Sequence, residues 1–489
     1  MTDHDSADHN AQGVTVIRKC RWLVGWDVPS HAHIYLEDAD LVFSNAGVLQ
    51  VGGRWSGPAS REIAGEHLMV MPGLVNIHCH SGDEPLAKGL FDDVGTAALW
   101  GNALYEYAAL IDSDDDAKAA CQTVMLNELL CSGVTTALDI ASWHPRWLDL
   151  MARSGIRGYA APGFRQAAWR MVGSHRLEYD WDDTLGRERY AQALEIVDAA
   201  QAHACGRLAG VIAPSQVETV REDLLVEAAE AAGARGMPLT IHAAQTMAEH
   251  EELLRRTGKT AVQFLDGLGV LGERLILGHA IFLDHHSWTR QRSRDDLPLL
   301  AARGTSVAHC PVTFARSGMA LETLGAYQRA GVNVGIGTDT CPFNMLEEMR
   351  QALILARMGA RQVFEIDTAG VFNAATTGSA KALGRDDIGR LVVGAKADLV
   401  LVDLRHPQMQ PVHDPLRSLL HCAAERAVRD VFVDGHQVVR DGKALGLDHA
   451  GATAMLADAQ ARAIRRAEAD DPQKRSIAQL APLTFRTAS

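Results

Sequence analysis

Eight short and almost continuously apolar segments recur through the middle of this 489-residue chain: 68–78, 134–140, 156–162, 208–214, 238–243, 275–283, 305–310 and 332–337. Helix-like stretches lie between them, among them 115–130, 188–204, 219–232, 287–302 and 345–358. Strands that are apolar throughout are buried on both faces, and helical connections join parallel neighbours. Eight such units predict an α/β fold of the (β/α)8, TIM-like barrel type, whose chemistry sits at the C-terminal ends of its strands. A doubly wound open sheet is the architectural alternative.

The flanks read differently. Short β-like runs occur at 14–17, 32–36 and 41–44, and again at 399–403, 428–433 and 437–440, where Asp434-Gly435 signals a hairpin. They predict a small composite β-sandwich domain formed by both chain ends. The expected organisation is therefore 1–67 as the N-terminal part of the β domain and 68–388 as the barrel. Residues 389–445 then form the C-terminal part of the β domain, and 446–489 a helical extension with its helix near 451–469.

Charge narrows the partners. A formal net charge of -14 argues against nucleic acid and anionic membrane surfaces. No apolar run reaches the roughly 18 residues of a spanning helix. The polar, acidic start of the chain lacks the features of a secretory signal, and the eight cysteines contain no CxxC pair. The expectation is a cytoplasmic enzyme with reduced thiols, acting on a small molecule and assembling as a homo-oligomer.

The strand ends carry the chemistry. The first segment closes on Pro72-Gly73-Leu74-Val75-Asn76-Ile77-His78-Cys79-His80, and residues two apart on a strand share a side. The fifth ends in His242, the sixth contains Gly278-His279, the seventh His309-Cys310-Pro311, and the eighth runs into Gly337-Thr338-Asp339. Imidazoles and a carboxylate converging on one barrel face suit a single divalent metal ion, zinc or iron, better than magnesium or calcium. Such an ion activates a water for hydrolysis, and a carboxylate at the site can take its proton.

These motifs together resemble the amidohydrolase superfamily, in the branch that contains adenosylhomocysteine and cytosine-type deaminases and triazine hydrolases. The resemblance also includes the Gly389–Leu399 segment and similar stretches at 86–93 and 343–350. It implies His78, His80, His242 and Asp339 as metal ligands, His279 holding or polarising the attacking water, and Asp339 doubling as general base. His309 is expected near the substrate or in support of the site. Binuclear members often bridge two ions with a carboxylated lysine on the fourth strand; no lysine occurs here between Lys118 and Lys259, so one metal per chain is expected.

One departure matters. Deaminases of this branch carry Glu three residues after the strand-5 histidine, whereas this chain has Gln245. A neutral amide can hydrogen-bond but cannot shuttle a proton. Glu249, Glu251 and Glu252 read as a solvated helix face. Phe314 and Arg316 replace a polar segment of the deaminases, and Trp100, Tyr105, Phe164 and Trp169 are placed on loops over the pocket. The leading expectation is a mononuclear hydrolase of a non-peptide C–N bond in an amide, urea, carbamate or thiocarbamate, with phenylurea- and thiocarbamate-hydrolysing members as a plausible neighbourhood. The alternative is an aminohydrolase of a purine, pyrimidine, pterin or triazine. A non-catalytic binding protein is a third class.

Overall fold

The computed structural model describes residues 13–487 except 92–93, 97–98, 100–102, 107–109, 174–175 and 472. In chain order its strands are β1 (Thr15–Asp27), β2 (Ala32–Ser44), β3 (Gly47–Val51), β4 (Arg61–Ala64), β5 (Leu68–Pro72), β6 (Leu74–Cys79), β7 (Val134–Ala141) and β8 (Arg157–Phe164). There follow β9 (Ala167–Val172), β10 (Arg176–Trp181), β11 (Leu208–Gly210), β12 (Ala213–Pro214), β13 (Leu239–Ala243), β14 (Leu275–His279), β15 (Ser306–His309) and β16 (Asn333–Ile336). The chain returns through β17 (Leu399–Asp403), β18 (Val428–Val433), β19 (His436–Arg440) and β20 (Lys443–Ala444).

Two parallel sheets make the catalytic body, β11-β8-β7-β6 with β12 also on β8, and β13-β14-β15-β16. Their regular ladders do not close into one continuous barrel. The two seams are crossed by isolated parallel bridges: Cys79 with Asp339 on one side, Ile212 with Leu239 and Gln216 with His242 on the other. One seam therefore lies at the strand-1 and strand-8 ends, where His80 N donates to Asp339 O and Asp339 N to His78 O, both at 2.9 Å. Asn76 fastens the same seam. Its Nδ2 donates to Thr338 Oγ1 at 2.8 Å, and its Oδ1 accepts from His78 N.

The segment 68–78, read from sequence as one strand, is two. Pro72 cannot donate a backbone hydrogen bond, and a Cβ on Gly73 would lie 2.0 Å from Thr135 Oγ1. The chain breaks there. β5 pairs antiparallel with β17, while β6 joins β7.

Both chain ends do meet, but in a single nine-stranded sheet, ordered β20-β19-β18-β17-β5-β1-β2-β3 with β4 on β1, and not in two packed sheets. The reason lies in β1, 13 residues long with a register shift between Ile17 and Cys20. That irregularity lets its first half pair with β4 and its second with β5. One curled sheet then encloses its own core of Ile17, Leu23, Leu41, Phe43, Leu399 and Phe432.

Helices cover the parallel sheets. α1 (Asp115–Cys131) receives the C-terminal helix α2 (His449–Asp470) through Ala120, Cys121 and Val124 against Leu456, Ala459 and Ala463. The expected helix over 287–302 is confined to Asp296–Arg303, because Pro298 is tolerated only in a first turn. All eight cysteines are free thiols. Among the described residues, no helix is long and apolar enough to cross a membrane.

Candidate metal centre and active site

Each candidate ligand is delivered by a strand end. His78 and His80 leave β6, His242 sits in β13, His279 ends β14, and Asp339 follows β16. Two of these positions are bent into the left-handed region, His279 at φ 82° and Asp339 at φ 58°. Such conformations are uncommon for residues with a Cβ and concentrate at functional sites. Space is made by glycine. A Cβ on Gly278 would lie 2.7 Å from His78 Cε1, and one on Gly337 2.6 Å from His78 Cβ.

The imidazoles point their lone pairs at one another. His80 Nδ1 donates to Ile140 O at 2.7 Å, and His242 Nδ1 donates to Ser215 O at 2.5 Å. In its neutral form each ring is thereby fixed in the tautomer whose Nε2 is a bare acceptor, and these two Nε2 atoms lie 3.2 Å apart. Two lone pairs cannot bond to each other; a cation between them satisfies both. Backbone carbonyls orienting the outer nitrogen of a metal-binding histidine are the usual supporting arrangement. His78 and His279 are buried with neither ring nitrogen hydrogen-bonded. Asp339 Oδ1 approaches His80 Nε2 to 3.2 Å and His78 Nε2 to 3.6 Å.

Donor atoms within 4.8 Å of one another form two overlapping groups, His78–His242–His279 and His78–His80–Asp339. The residues thus fit a resident metal ion. Electrostatics agree. Burial drives His78, His242 and His279 towards their neutral, ligating forms. At His80 burial works the same way, but Asp339 outweighs it and holds the ring up at about 9, so the site attracts positive charge. Burial opposes ionisation of Asp339 too, yet the surrounding imidazoles hold its carboxyl well below the usual range.

The other expected residues are placed unequally. Gln245 is half-buried one turn beyond His242; its backbone N donates to Glu249 Oε2 at 2.8 Å, and its side-chain amide has no hydrogen bond among the described residues. Phe314 packs its ring 4.5 Å from that of His279. His309 is buried, and burial lowers its ring to about 4. Arg316 is exposed and donates to Thr340 Oγ1, beside Asp339. Trp100 lies outside the described residues. Phe164 is buried in the main core, its ring 5.0 Å from that of Tyr190, and not on a loop. Tyr105 packs edge-on to Trp169 on the β9–β10 hairpin, and its hydroxyl bonds Thr246 Oγ1.

Glu249 corrects the sequence reading. It is 2% exposed, not on a solvated face, and accepts from the backbone N of Ala244 and Gln245. Thr246 caps the following helix and accepts from Glu249 N. Thr246-Met247-Ala248-Glu249 is a capping-box pattern, so the signal was present. Asp139, buried at the end of β7, was also passed over; it accepts from Ser81 N, Ser81 Oγ and Trp147 Nε1 and braces the loop after His80. A lone carboxylate inside an apolar strand was its mark.

Known proteins align with this geometry. Residues 69–438 match the profile described as Amidohydrolase family. The chain is 30% identical over 428 residues to a 5-methylthioadenosine/S-adenosylhomocysteine deaminase of Natronomonas pharaonis, covering 86% of this chain and 93% of that one. It is 27% identical to a 5'-deoxyadenosine deaminase of Methanosarcina barkeri, covering 84% and 90%. A zinc-bound adenosine deaminase structure from Xanthomonas campestris superposes with a TM-score of 0.78 at 27% identity, covering 92% of this chain and 98% of that one. An atrazine chlorohydrolase from Arthrobacter aurescens, complexed with zinc, shares the fold with a TM-score of 0.77 at 23% identity, covering 91% of this chain and 100% of that one.

Proposed function

The chain belongs to the amidohydrolase family and is an enzyme, and from that premise we propose that it is a mononuclear, zinc-dependent aminohydrolase of an amino-substituted nitrogen heterocycle, with adenosine derivatives as the first substrate class. The reaction replaces the exocyclic C–N bond by C–O, using one water and releasing one ammonia. The observation that carries the hydrolytic part is the pair of facing Nε2 acceptors of His80 and His242, 3.2 Å apart and within the same cluster as Asp339. The heterocycle class rests on the likeness to deaminases of adenosine derivatives along 84–86% of the chain.

His78, His80, His242 and Asp339 hold the ion in this reading, and the ion supplies a water acidic enough to be deprotonated near neutral pH. Asp339, ionised and beside His80, takes the water's proton. His279 orients that water, and Phe314 against its ring fixes the imidazole. His309 and Arg316 face the substrate side. Gln245 hydrogen-bonds the substrate ring but cannot give it a proton.

That last residue sustains a second reading. An amide, urea, carbamate or thiocarbamate needs no protonated ring nitrogen, so Gln245 suits it. The likeness to deaminases of adenosine derivatives supports taking the aminohydrolase first. A substrate screen of the zinc-loaded protein decides. Ammonia release from 5'-deoxyadenosine or S-adenosylhomocysteine supports the proposal; amine release from aryl ureas or thiocarbamates, with no ammonia from any purine, reverses the order. The protein is further read as a cytoplasmic homo-oligomer. Exposed Met358, Val363 and Phe364, at 69%, 58% and 87%, offer an apolar contact surface, and light scattering tests it.

A further inference from the structure

Gln245 follows directly on a residue held in a strained turn. Ala244 lies at φ 52°, a left-handed conformation that a residue with a Cβ keeps only where its surroundings impose it. The carbonyl side of this turn is fastened to the segment after His279. Ala244 O accepts from Ile281 N and Phe282 N, both at 2.9 Å, and Ala243 O accepts from Ala280 N at 3.1 Å. The N–H side is fastened by a single side chain among the described residues. Glu249 Oε1 accepts from Ala244 N at 2.6 Å, and Glu249 Oε2 from Gln245 N at 2.8 Å. Glu249 stands in the first turn of the helix Met247–Thr257. Thr246 sets it there: its Oγ1 accepts from Glu249 N at 3.1 Å and bonds Tyr105 Oη at 2.6 Å. Ala244, Thr246 and Glu249 are all buried.

In an ordinary capping box the first-turn glutamate serves the start of its own helix. Glu249 reaches further back, to the two residues that precede the cap. A buried carboxylate with its oxygens on two consecutive backbone N–H groups fixes the direction of that backbone, because a shift of either residue leaves a donor and an acceptor unmet away from water. The side chain whose direction follows is Gln245, half-buried and with no hydrogen bond to its amide among the described residues. We propose that Glu249 is a positioning residue, which acts through the Ala244-Gln245 turn to aim the Gln245 amide at the substrate. This deepens the proposed function and rests on it for the contact between Gln245 and substrate. A turn clamped on both sides makes a neutral amide a specificity contact whose direction is set before the substrate arrives.

The test is a double-mutant cycle on the zinc-loaded protein. KM, kcat, zinc content and urea unfolding are measured for the wild type, Glu249→Ala, Gln245→Ala and the double variant. Glu249→Ala should raise KM by about 10-fold, as Gln245→Ala does, with zinc content unchanged. In the Gln245→Ala background the same substitution should leave KM within about 2-fold, because the side chain it aims is gone. Glu249→Gln keeps the volume but offers one acceptor group in place of two. It should fall between, and it carries the same cycle if Glu249→Ala does not fold. An equal rise of KM in both backgrounds overturns the proposal, as does loss of zinc in Glu249→Ala. Lower stability in urea with KM unchanged also overturns it and leaves Glu249 a support of its helix alone, and so does a wild-type KM in Gln245→Ala. The cycle is read with 5'-deoxyadenosine. If the wild type releases no ammonia from it, the aminohydrolase reading fails separately, and the same cycle read with phenylurea, on the amine-releasing reaction, still decides on Glu249.

Discussion

On the proposed reading, two residues decide what the centre does once its ligands are in place. Gln245→Ala should raise KM more than it lowers kcat, with a loss of about 1–3 kcal/mol in kcat/KM from an unmet polar contact. Gln245→Glu is sharper. A carboxyl there could protonate a ring nitrogen, and general acid help is worth about 10²–10⁴-fold when the chemistry wants it. On the aminohydrolase reading Gln245→Glu should raise kcat for an adenosine substrate, by about 10-fold or more. No gain, with amine-releasing activity intact, returns the urea or carbamate reading to first place. His279 is tested by removal. As the residue that orients water it should, on His279→Ala, leave zinc bound and cost about 10²-fold or more in kcat. Zinc loss measured by elemental analysis would instead count it among the ligands, a role its distance to His78 and His242 permits. At this scale the sequence was legible wherever a titratable residue closed an apolar strand, as with His242 and Asp339. At Glu249 the capping-box pattern marked the helix start but not the first-turn carboxylate folding back onto the Ala244 and Gln245 amides.

Among the elements, the parallel strands were the readable part, because a strand buried on both faces leaves an uninterrupted apolar run such as Leu275-Ile276-Leu277. The β9–β10 hairpin was not readable. Its residues are mostly half-exposed and mix Arg, Glu and Asp with aromatics, so it lacks both an apolar run and a clean alternation. The division at Pro72-Gly73 was spelled in the sequence, yet only the approach of Thr135 shows why both residues are required. Strand ends here also have to meet, and glycine sets how closely. Gly278→Ala adds a methyl 2.7 Å from His78 Cε1, with His242 Cα 3.5 Å away, so the ring and not the backbone must yield. The expected outcome is a folded protein with zinc affinity reduced by about 10-fold or more, as for damage to a ligand's support, checked by competition with a chelator. Unaltered zinc affinity would mean that β14 can shift away from His78.

The molecule as a whole depends on joining its curled sheet to the catalytic body. His33 lies at that junction, its ring edge-on to Trp26 and Phe372, its Nε2 3.3 Å from Thr376 Oγ1. Burial lowers it from the ordinary 6.5 to about 4. Its folded pKa is thus below its unfolded one, so the native state resists protonation, and stability is full above pH 6.5 and declines as pH falls towards 4. Replacing His33 by Gln should flatten the melting temperature across that interval. A second tie explains Ala397-Asp398-Leu399 in the returning segment. Arg157 of β8 donates through Nε and Nη2 to both oxygens of Asp398, at 3.0 and 3.1 Å, and through Nη2 to Asp434 at 2.7 Å. Asp398 O also accepts from Gly73 N, where the chain crosses from one sheet to the other. Arg157 and Asp398 are 3% and 2% exposed. Removing one partner from a buried pair strands the other charge and costs about 3–5 kcal/mol, whereas replacing both with apolar residues of similar volume is often neutral. Urea unfolding should therefore show Arg157→Met strongly destabilised and Arg157→Met with Asp398→Leu partly restored, though Asp434 keeps a lost contact in both. Zinc content and kcat should change little, since the tie lies at the far end of β8 from the catalytic face. A double variant no more stable than the single one would mean that the Asp434 contact, not the pair with Asp398, carries the junction.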